Sequence, residues 1–153
     1  MRVLPILLQA VIVQPPATTL VSSLHNLHEI CGPGPFDACT RFVAYKLDVQ
    51  CVTRDGAPAM NASVTIRPMI FLYNIRQLPH EMLHVEDVRR FSSQYAEEIA
   101  SVALTSDAQC HEESMRLSAG FGDRVREFAL RSNLERHPML RAGRSTMPHI
   151  EGR

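Results

Sequence analysis

The fold is decided by residues 79–104, which read PHEMLHVEDVRRFSSQYAEEIASVAL. Pro79 suits the first turn of a helix, where its missing N–H would have had no helical partner. The residues expected on the inward face recur at steps of three and four, namely His84, Val88, Phe91, Tyr95, Ile99 and Val102. Because this is the period of one helix face, the stretch predicts a long amphipathic helix.

A second helix is predicted directly downstream. Ser106 and Asp107 are both side chains that can cap a helix start. The inward stripe of this second helix comprises Cys110, Ser114, Leu117, Phe121, Val125 and Phe128. A short break between two such stripes predicts two helices that lie antiparallel to each other.

Two strands are predicted upstream of the helices. Apolar and polar side chains alternate along residues 43–51, which is typical of a half-buried strand. Residues 54–58 indicate a turn, and a second strand follows near residues 62–66. Pro68 cannot donate a backbone hydrogen bond, so we expect an edge strand or a break there. We therefore predict an α+β fold, with a small antiparallel sheet followed by an antiparallel pair of helices.

The ends of the chain differ from this central part. Residues 1–17 combine one positive charge with a mostly apolar run, a pattern typical of a signal peptide or anchor; a buried first strand or helix is the alternative. Residues 18–40 are rich in Pro and Gly and predict an irregular entry segment, in which a short helical piece could lie near residues 20–30. Residues 41–138 then form the domain, and residues 139–153 a loosely ordered tail. The last four residues, 150–153, spell a common engineered protease site.

The charge and hydropathy of the chain bear on whether it binds nucleic acid or spans a membrane. The chain has 16 Lys+Arg and 16 Asp+Glu, so its formal net charge is zero. A protein that binds nucleic acid through a basic face carries an excess of positive charge, and we therefore expect no nucleic-acid partner. Apart from the N-terminal segment, we also expect no membrane span, because no apolar run reaches about 18–20 residues.

The four cysteines bear on where the protein works. An even number of cysteines in a short exported chain predicts disulfides, and four cysteines allow three pairings. Cys51 and Cys110 are both expected to face the core, and pairing Cys31 with Cys39 would leave these two to each other. We therefore predict a secreted or periplasmic protein with oxidised cysteines. Four reduced thiols in a cytosolic protein are the alternative.

Residues 80–84 read His-Glu-Met-Leu-His, an H-E-x-x-H motif at the start of the first long helix. Residues four apart lie on one helix face, so His80 and His84 can reach the same metal ion. Glu81 flanks that face and can accept a proton from a metal-bound water without ligating the metal. The motif predicts a zinc site with Glu81 as the general base.

The order of these elements resembles a bacterial family of predicted secreted zinc-dependent proteases, which are small zincin-like domains. In that family an H-E-x-x-H helix follows strands, and a Cys lies near the start of the next helix, as Cys110 does here. The resemblance covers about residues 41–138 and implies a zincin-like fold, a zinc cofactor and a peptide or protein substrate. The family often ends in Tyr-Asp and His-Gly pairs, which residues 128–131 and 135–138 do not match.

A catalytic zinc needs a third protein ligand, and the sequence leaves several candidates open. If the helices form an antiparallel hairpin, residues near 126–134 return beside His80 and His84. That geometry favours His137 or Glu127. Glu112 or Glu113 becomes the better candidate if the first helix is shorter.

Asp87 is a candidate for a supporting role. It lies three residues after His84 on the same side of the helix, where a carboxylate can hold the second nitrogen of a ligand imidazole. An ion pair with Arg89 or Arg90 is the alternative.

Three functional hypotheses follow from these patterns. The first is zinc-dependent hydrolysis of peptide bonds, with Glu81 as general base. The second is an exported binding domain without enzymatic activity, in which zinc is structural or absent. The third is an intracellular regulator in which the H-E-x-x-H motif is accidental.

Overall fold

A computed structural model of the chain describes residues 10–140. The first nine residues of the predicted leader and residues 141–153 of the predicted tail, including the protease-site sequence, lie outside the described part.

The described chain consists of strands and helices in the following order: β1 (Ala10–Val13), β2 (Ala17–Leu20), α1 (Leu24–Cys31), β3 (Ala38–Arg54), β4 (Ala57–Leu72), a 3₁₀ turn (Ile75–Gln77), α2 (Leu78–Ala100) and α3 (Asp107–Arg136). The segment 18–40 is less irregular than predicted, because it contains most of β2 and the start of β3. Helix α1 confirms the short helical piece expected near residues 20–30. None of the helices between residues 10 and 140 combines the length and hydropathy needed to cross a bilayer.

Strands β3 and β4 form a long antiparallel hairpin. It closes at Asp55 and Gly56, whose φ angles of 51° and 80° are both positive. A two-residue turn of this kind matches the right-handed twist of the strands, and Asp-Gly is among the residue pairs that favour it. Pairing then continues from Arg54 opposite Ala57 to Ala38 opposite Leu72.

The prediction of an antiparallel sheet is wrong, because β1 and β2 both run parallel to β4. Strand β1 pairs with residues 63–66 of β4 and β2 with residues 69–72, so the two short strands follow one another along it. The alternation of apolar and polar residues in the sequence predicted the strands of the β3–β4 hairpin but not β1 or β2. The apolar run near the N-terminus also supplies strand residues, and residues 10–13 of the segment predicted as a leader lie in β1.

Pro68 lies in a central strand, so the prediction of an edge or broken strand there is also wrong. On one side, β1 ends opposite Ile66 and β2 begins opposite Met69. On the other side, β3 has a register shift between Phe42 and Ala44, next to Pro68. The missing N–H of proline therefore falls at an interruption of both pairings, where it costs little.

The core lies between β4 and the two long helices. Alternate residues of β4 supply its floor, namely Met60, Ala62, Val64 and Ile66, and all are buried. The helices cover this floor and run antiparallel, since Phe91 of α2 stacks on Phe128 of α3 and Tyr95 on Phe121. The start of α2 therefore lies beside the end of α3.

The structure pairs Cys31 with Cys39 and Cys51 with Cys110, which is one of the three pairings that four cysteines allow. All four cysteines are therefore in disulfides, which confirms the prediction that they are oxidised. The Cys51–Cys110 bond joins the far part of β3 to the first turn of α3. The Cys31–Cys39 bond joins the end of α1 to the start of β3.

Removing the Cys51–Cys110 bond is expected to destabilise the protein more than removing Cys31–Cys39. The two bonds close segments of 59 and 8 residues. In the chain-entropy account these loops correspond to about 4 and about 2.5 kcal/mol. Urea unfolding of Cys51→Ala/Cys110→Ala and of Cys31→Ala/Cys39→Ala measures the difference. An equal loss of unfolding free energy in the two double variants would contradict the expectation.

Candidate metal centre

The H-E-x-x-H motif occupies the first turns of α2. Pro79 stands at the helix start, as the sequence predicts, and His80 and His84 project one turn apart with ring centroids 5.4 Å from each other. His84 is buried and His80 is half-buried. Both imidazoles face the space beside the end of α3.

His137 joins them from the other helix. It directly follows the last residue of α3, and its N–H donates to the carbonyl of Asn133 at 3.0 Å. Its Nε2 lies 3.3 Å from the Nε2 of His80. His80, His84 and His137 each offer a nitrogen within 4.8 Å of the other two, and we call these three residues the imidazole cluster. Three histidines in this arrangement could hold a metal ion.

The other candidate ligands lie apart from the cluster. Glu127 is exposed and lies near Arg124 and Arg131. Glu113 pairs with Arg116, and Glu112 is exposed on the first part of α3. Helix α2 is long enough that this part of α3 packs far from the motif. Of the candidates left open by the sequence, the structure brings His137 to the motif.

Glu81 is buried beside the imidazole cluster and is held by Thr40 at the start of β3. The Thr40 hydroxyl lies 2.7 Å from Oε2 of Glu81 and 3.3 Å from its backbone carbonyl oxygen, and it donates to the carboxylate. Burial raises the pKa of the Glu81 carboxyl above its usual value, and the Thr40 hydrogen bond opposes that rise. A buried carboxylate with a raised pKa and a fixed orientation is well suited to proton transfer.

Within the described residues, the hydrogen bonds of Asp87 go to Ser132 and Arg136 and not to an imidazole, and Arg89 pairs with Glu86 instead. Asp87 accepts hydrogen bonds from Ser132 at 3.0 Å and from two nitrogens of Arg136 at 2.9 and 2.6 Å. Ser132 Oγ in turn lies 3.3 Å from Nδ1 of His84. These bonds hold the pKa of the Asp87 carboxyl below its usual value, the Arg136 bond above all.

Sequence reasoning missed Thr40, Ser132 and Arg136. A signal existed for Ser132, because it continues the stripe of Phe121, Val125 and Phe128 at helical spacing, although it is polar. Thr40 gave no comparable signal, since its partner lies 41 residues away in another element.

The surroundings of His84 and His137 favour the neutral form of these two imidazoles. Burial, together with His80 and His137, lowers the pKa of His84 to about 4. Burial and the nearby His80 also lower the pKa of His137. A neutral imidazole keeps the lone pair that a metal requires.

An open cleft of about 440 Å³ reaches the cluster from one side. One wall consists of the end of α1 and the start of β3, including Cys31, Cys39 and Thr40. The other wall is the last part of α3, including Leu130 and Asn133. Glu81, His84 and His137 lie along the same cleft.

Comparison of the chain with protein-family models, with curated proteins and with solved structures found no match. The resemblance to small zincin-like domains stays a prediction from the sequence.

Lowering the pH from 7 to 5 is expected to destabilise the metal-free protein through His84. Its pKa is about 4 when folded and near 6.5 when unfolded, so between these values the unfolded chain binds more protons. Stability from this group is complete above pH 6.5 and falls by about 2 kcal/mol at pH 5.

Urea unfolding at both pH values, in the presence of a chelator, checks this. Glu81 acts in the opposite direction, since its raised pKa makes the folded state bind protons as the pH falls. The comparison is therefore with His84→Gln, which should show a smaller loss at pH 5. The same pH dependence in both proteins would refute the assignment.

Proposed function

We propose that the protein is a zinc-dependent hydrolase that cleaves peptide bonds. The observation that carries the proposal is the convergence of His80, His84 and His137. With zinc–nitrogen bonds of about 2.0–2.1 Å, two ligands of a tetrahedral zinc are about 3.3 Å apart. The Nε2 atoms of His80 and His137 have this separation, at 3.3 Å. Imidazole nitrogen is also a ligand that suits zinc.

The number of ligands favours a catalytic over a structural metal. Structural zinc sites use four protein ligands, whereas catalytic sites use three and keep one position open. Among the described residues, the cluster contains three metal-ligating side chains, and all four cysteines are in disulfides. A fourth ligand would favour a binding domain with structural zinc, and the group of possible ligands found within residues 10–140 consists of three histidines.

Zinc in such a site polarises a carbonyl and makes a water more acidic. Glu81 would accept the proton of the attacking water and deliver it to the amine nitrogen of the leaving peptide. Thr40 holds one oxygen of that carboxylate and so orients the other. The cleft leads a substrate to these groups, and a peptide or protein is the substrate that the H-E-x-x-H motif favours.

Export fits the same proposal. Disulfides persist mainly in oxidising compartments, and this chain has two. We therefore propose a secreted or periplasmic hydrolase.

The purified protein is expected to bind one zinc per chain. His84→Ala and His137→Ala should each weaken binding sharply, because two protein ligands hold zinc poorly. His111→Ala is the matched control, since His111 lies exposed on α3 away from the cluster. Metal analysis after dialysis against zinc gives the stoichiometry. Wild-type protein without bound zinc would contradict the proposal.

Glu81→Gln is expected to keep zinc and lose nearly all hydrolysis. The amide preserves size and polarity but cannot accept the proton, a role typically associated with a factor of about 10² to 10⁴ in rate. Cleavage of a fluorescence-quenched peptide library measures the activity. Glu86→Gln, which changes an exposed carboxylate of the same helix, should behave as wild type.

Two results would count against Glu81 as the general base. Full activity in Glu81→Gln would exclude Glu81 as the base. Loss of zinc from Glu81→Gln would make Glu81 part of the metal-binding structure instead.

A further inference from the structure

We propose that Asp87 is a positioning residue that sets two ligands of the imidazole cluster at once, acting on His84 through Ser132 and on His137 through Arg136. The inference rests on the proposed metal centre but not on the reaction performed there.

The first branch, from Asp87 through Ser132 to His84, determines which ring nitrogen of His84 carries the proton. Ser132 Oγ has one hydrogen, and the Asp87 carboxylate 3.0 Å away can only accept it. The same oxygen must then accept a hydrogen from Nδ1 of His84, 3.3 Å away. His84 is thereby held as the Nδ1–H tautomer. Its Nε2 keeps the lone pair and is the nitrogen available to a metal.

The second branch, from Asp87 to Arg136, fixes the position of the backbone next to His137. Arg136 donates through Nε to Oδ2 of Asp87 and through Nη2 to Oδ1, a two-bond arrangement that fixes orientation as well as distance. The Asp87 side chain is 12% exposed and the Arg136 side chain 31%, so water screens the pair only in part. Arg136 is the last residue of α3, and His137 follows it outside regular helix. Holding Arg136 against α2 therefore holds the final turn from which His137 projects.

The two branches meet on one carboxylate of α2. Truncating Ser132 leaves both bonds from Arg136 in place, whereas neutralising Asp87 weakens both branches together. Changes in groups that orient metal ligands typically cost 10- to 100-fold in metal affinity. We expect roughly tenfold weaker zinc binding for Ser132→Ala and up to about a hundredfold for Asp87→Asn.

The first measurement is zinc affinity of the full chain, by competition with a chromophoric chelator. Glu86→Gln is the matched control, because it neutralises the neighbouring exposed carboxylate of α2 and should bind zinc as wild type does. Circular dichroism verifies that each variant is folded. If Ser132→Ala and Asp87→Asn bind zinc within twofold of wild type, the proposal is overturned while the metal centre itself stands.

The second measurement needs no metal. Long-range ¹H–¹⁵N correlation spectra of the metal-free protein distinguish histidine tautomers, and the His84 signals are those missing from His84→Asn. We expect the Nδ1–H tautomer in wild type and a shift towards Nε2–H in Ser132→Ala. An Nε2–H tautomer in wild type overturns the proposal whether or not zinc binds. A wild type that binds no zinc but shows the expected tautomer would refute the proposed function and uphold the Ser132 branch.

Discussion

The antiparallel contact between α2 and α3 is the constraint on which the candidate metal centre depends. Two candidate ligands, His80 and His84, lie at the start of α2, and the third candidate, His137, follows the end of α3. The stacked pairs Phe91–Phe128 and Tyr95–Phe121 set how far one helix is shifted along the other. A slip of one helical turn would move His137 by about 5 Å, far more than a metal–ligand bond tolerates.

The sequence predicted this helical part well, because its information is local. Steps of three and four placed both helices, and Ser106 caps α3 as one of the two predicted alternatives, accepting from the N–H of Gln109. The spacing within H-E-x-x-H placed His80 and His84 on one face. Which side chain could be a third ligand depends on how the two helices align, so the sequence leaves His137 and the three glutamates as alternatives. The structure places His137, of these four, beside His80 and His84.

The sheet was predicted less well for a physical reason. An alternating pattern shows that a segment is a strand but does not identify its neighbour or their relative direction. Residues 10–13 form only a short strand, and their apolar run is equally typical of a leader. The prediction of an edge or broken strand at Pro68 failed for a similar reason. The missing N–H of proline destabilises a sheet only where the neighbouring strand has a carbonyl that would accept a hydrogen bond from it.

The groups that hold Glu81 and His84 also escaped prediction, since each acts across the fold. Thr40 lies in β3 and Ser132 in α3, and neither belongs to a motif. Phe36 also belongs to no motif. It lies in the segment closed by the Cys31–Cys39 bond, and its ring centroid lies 4.5 Å from that of His137. The motif identifies His80, Glu81 and His84 as candidate groups, whereas the surrounding elements determine how these side chains are oriented.

Because α3 is long, a small rotation at one end of this helix produces a large displacement at the other end. The helix is fastened to β3 by the disulfide at Cys110 and carries a candidate ligand just beyond its other end, about 40 Å away. A tilt of about 3° about Cys110 would displace His137 by about 2 Å, which is a full zinc–nitrogen bond length. Midway along the helix, a Cβ at Gly122 would lie 3.4 Å from the ring of Tyr45, an ordinary van der Waals distance, so the backbone of α3 approaches β3 closely there. The position of His137, and with it the spacing of the imidazoles, therefore depends on how α3 lies on the sheet along its whole length.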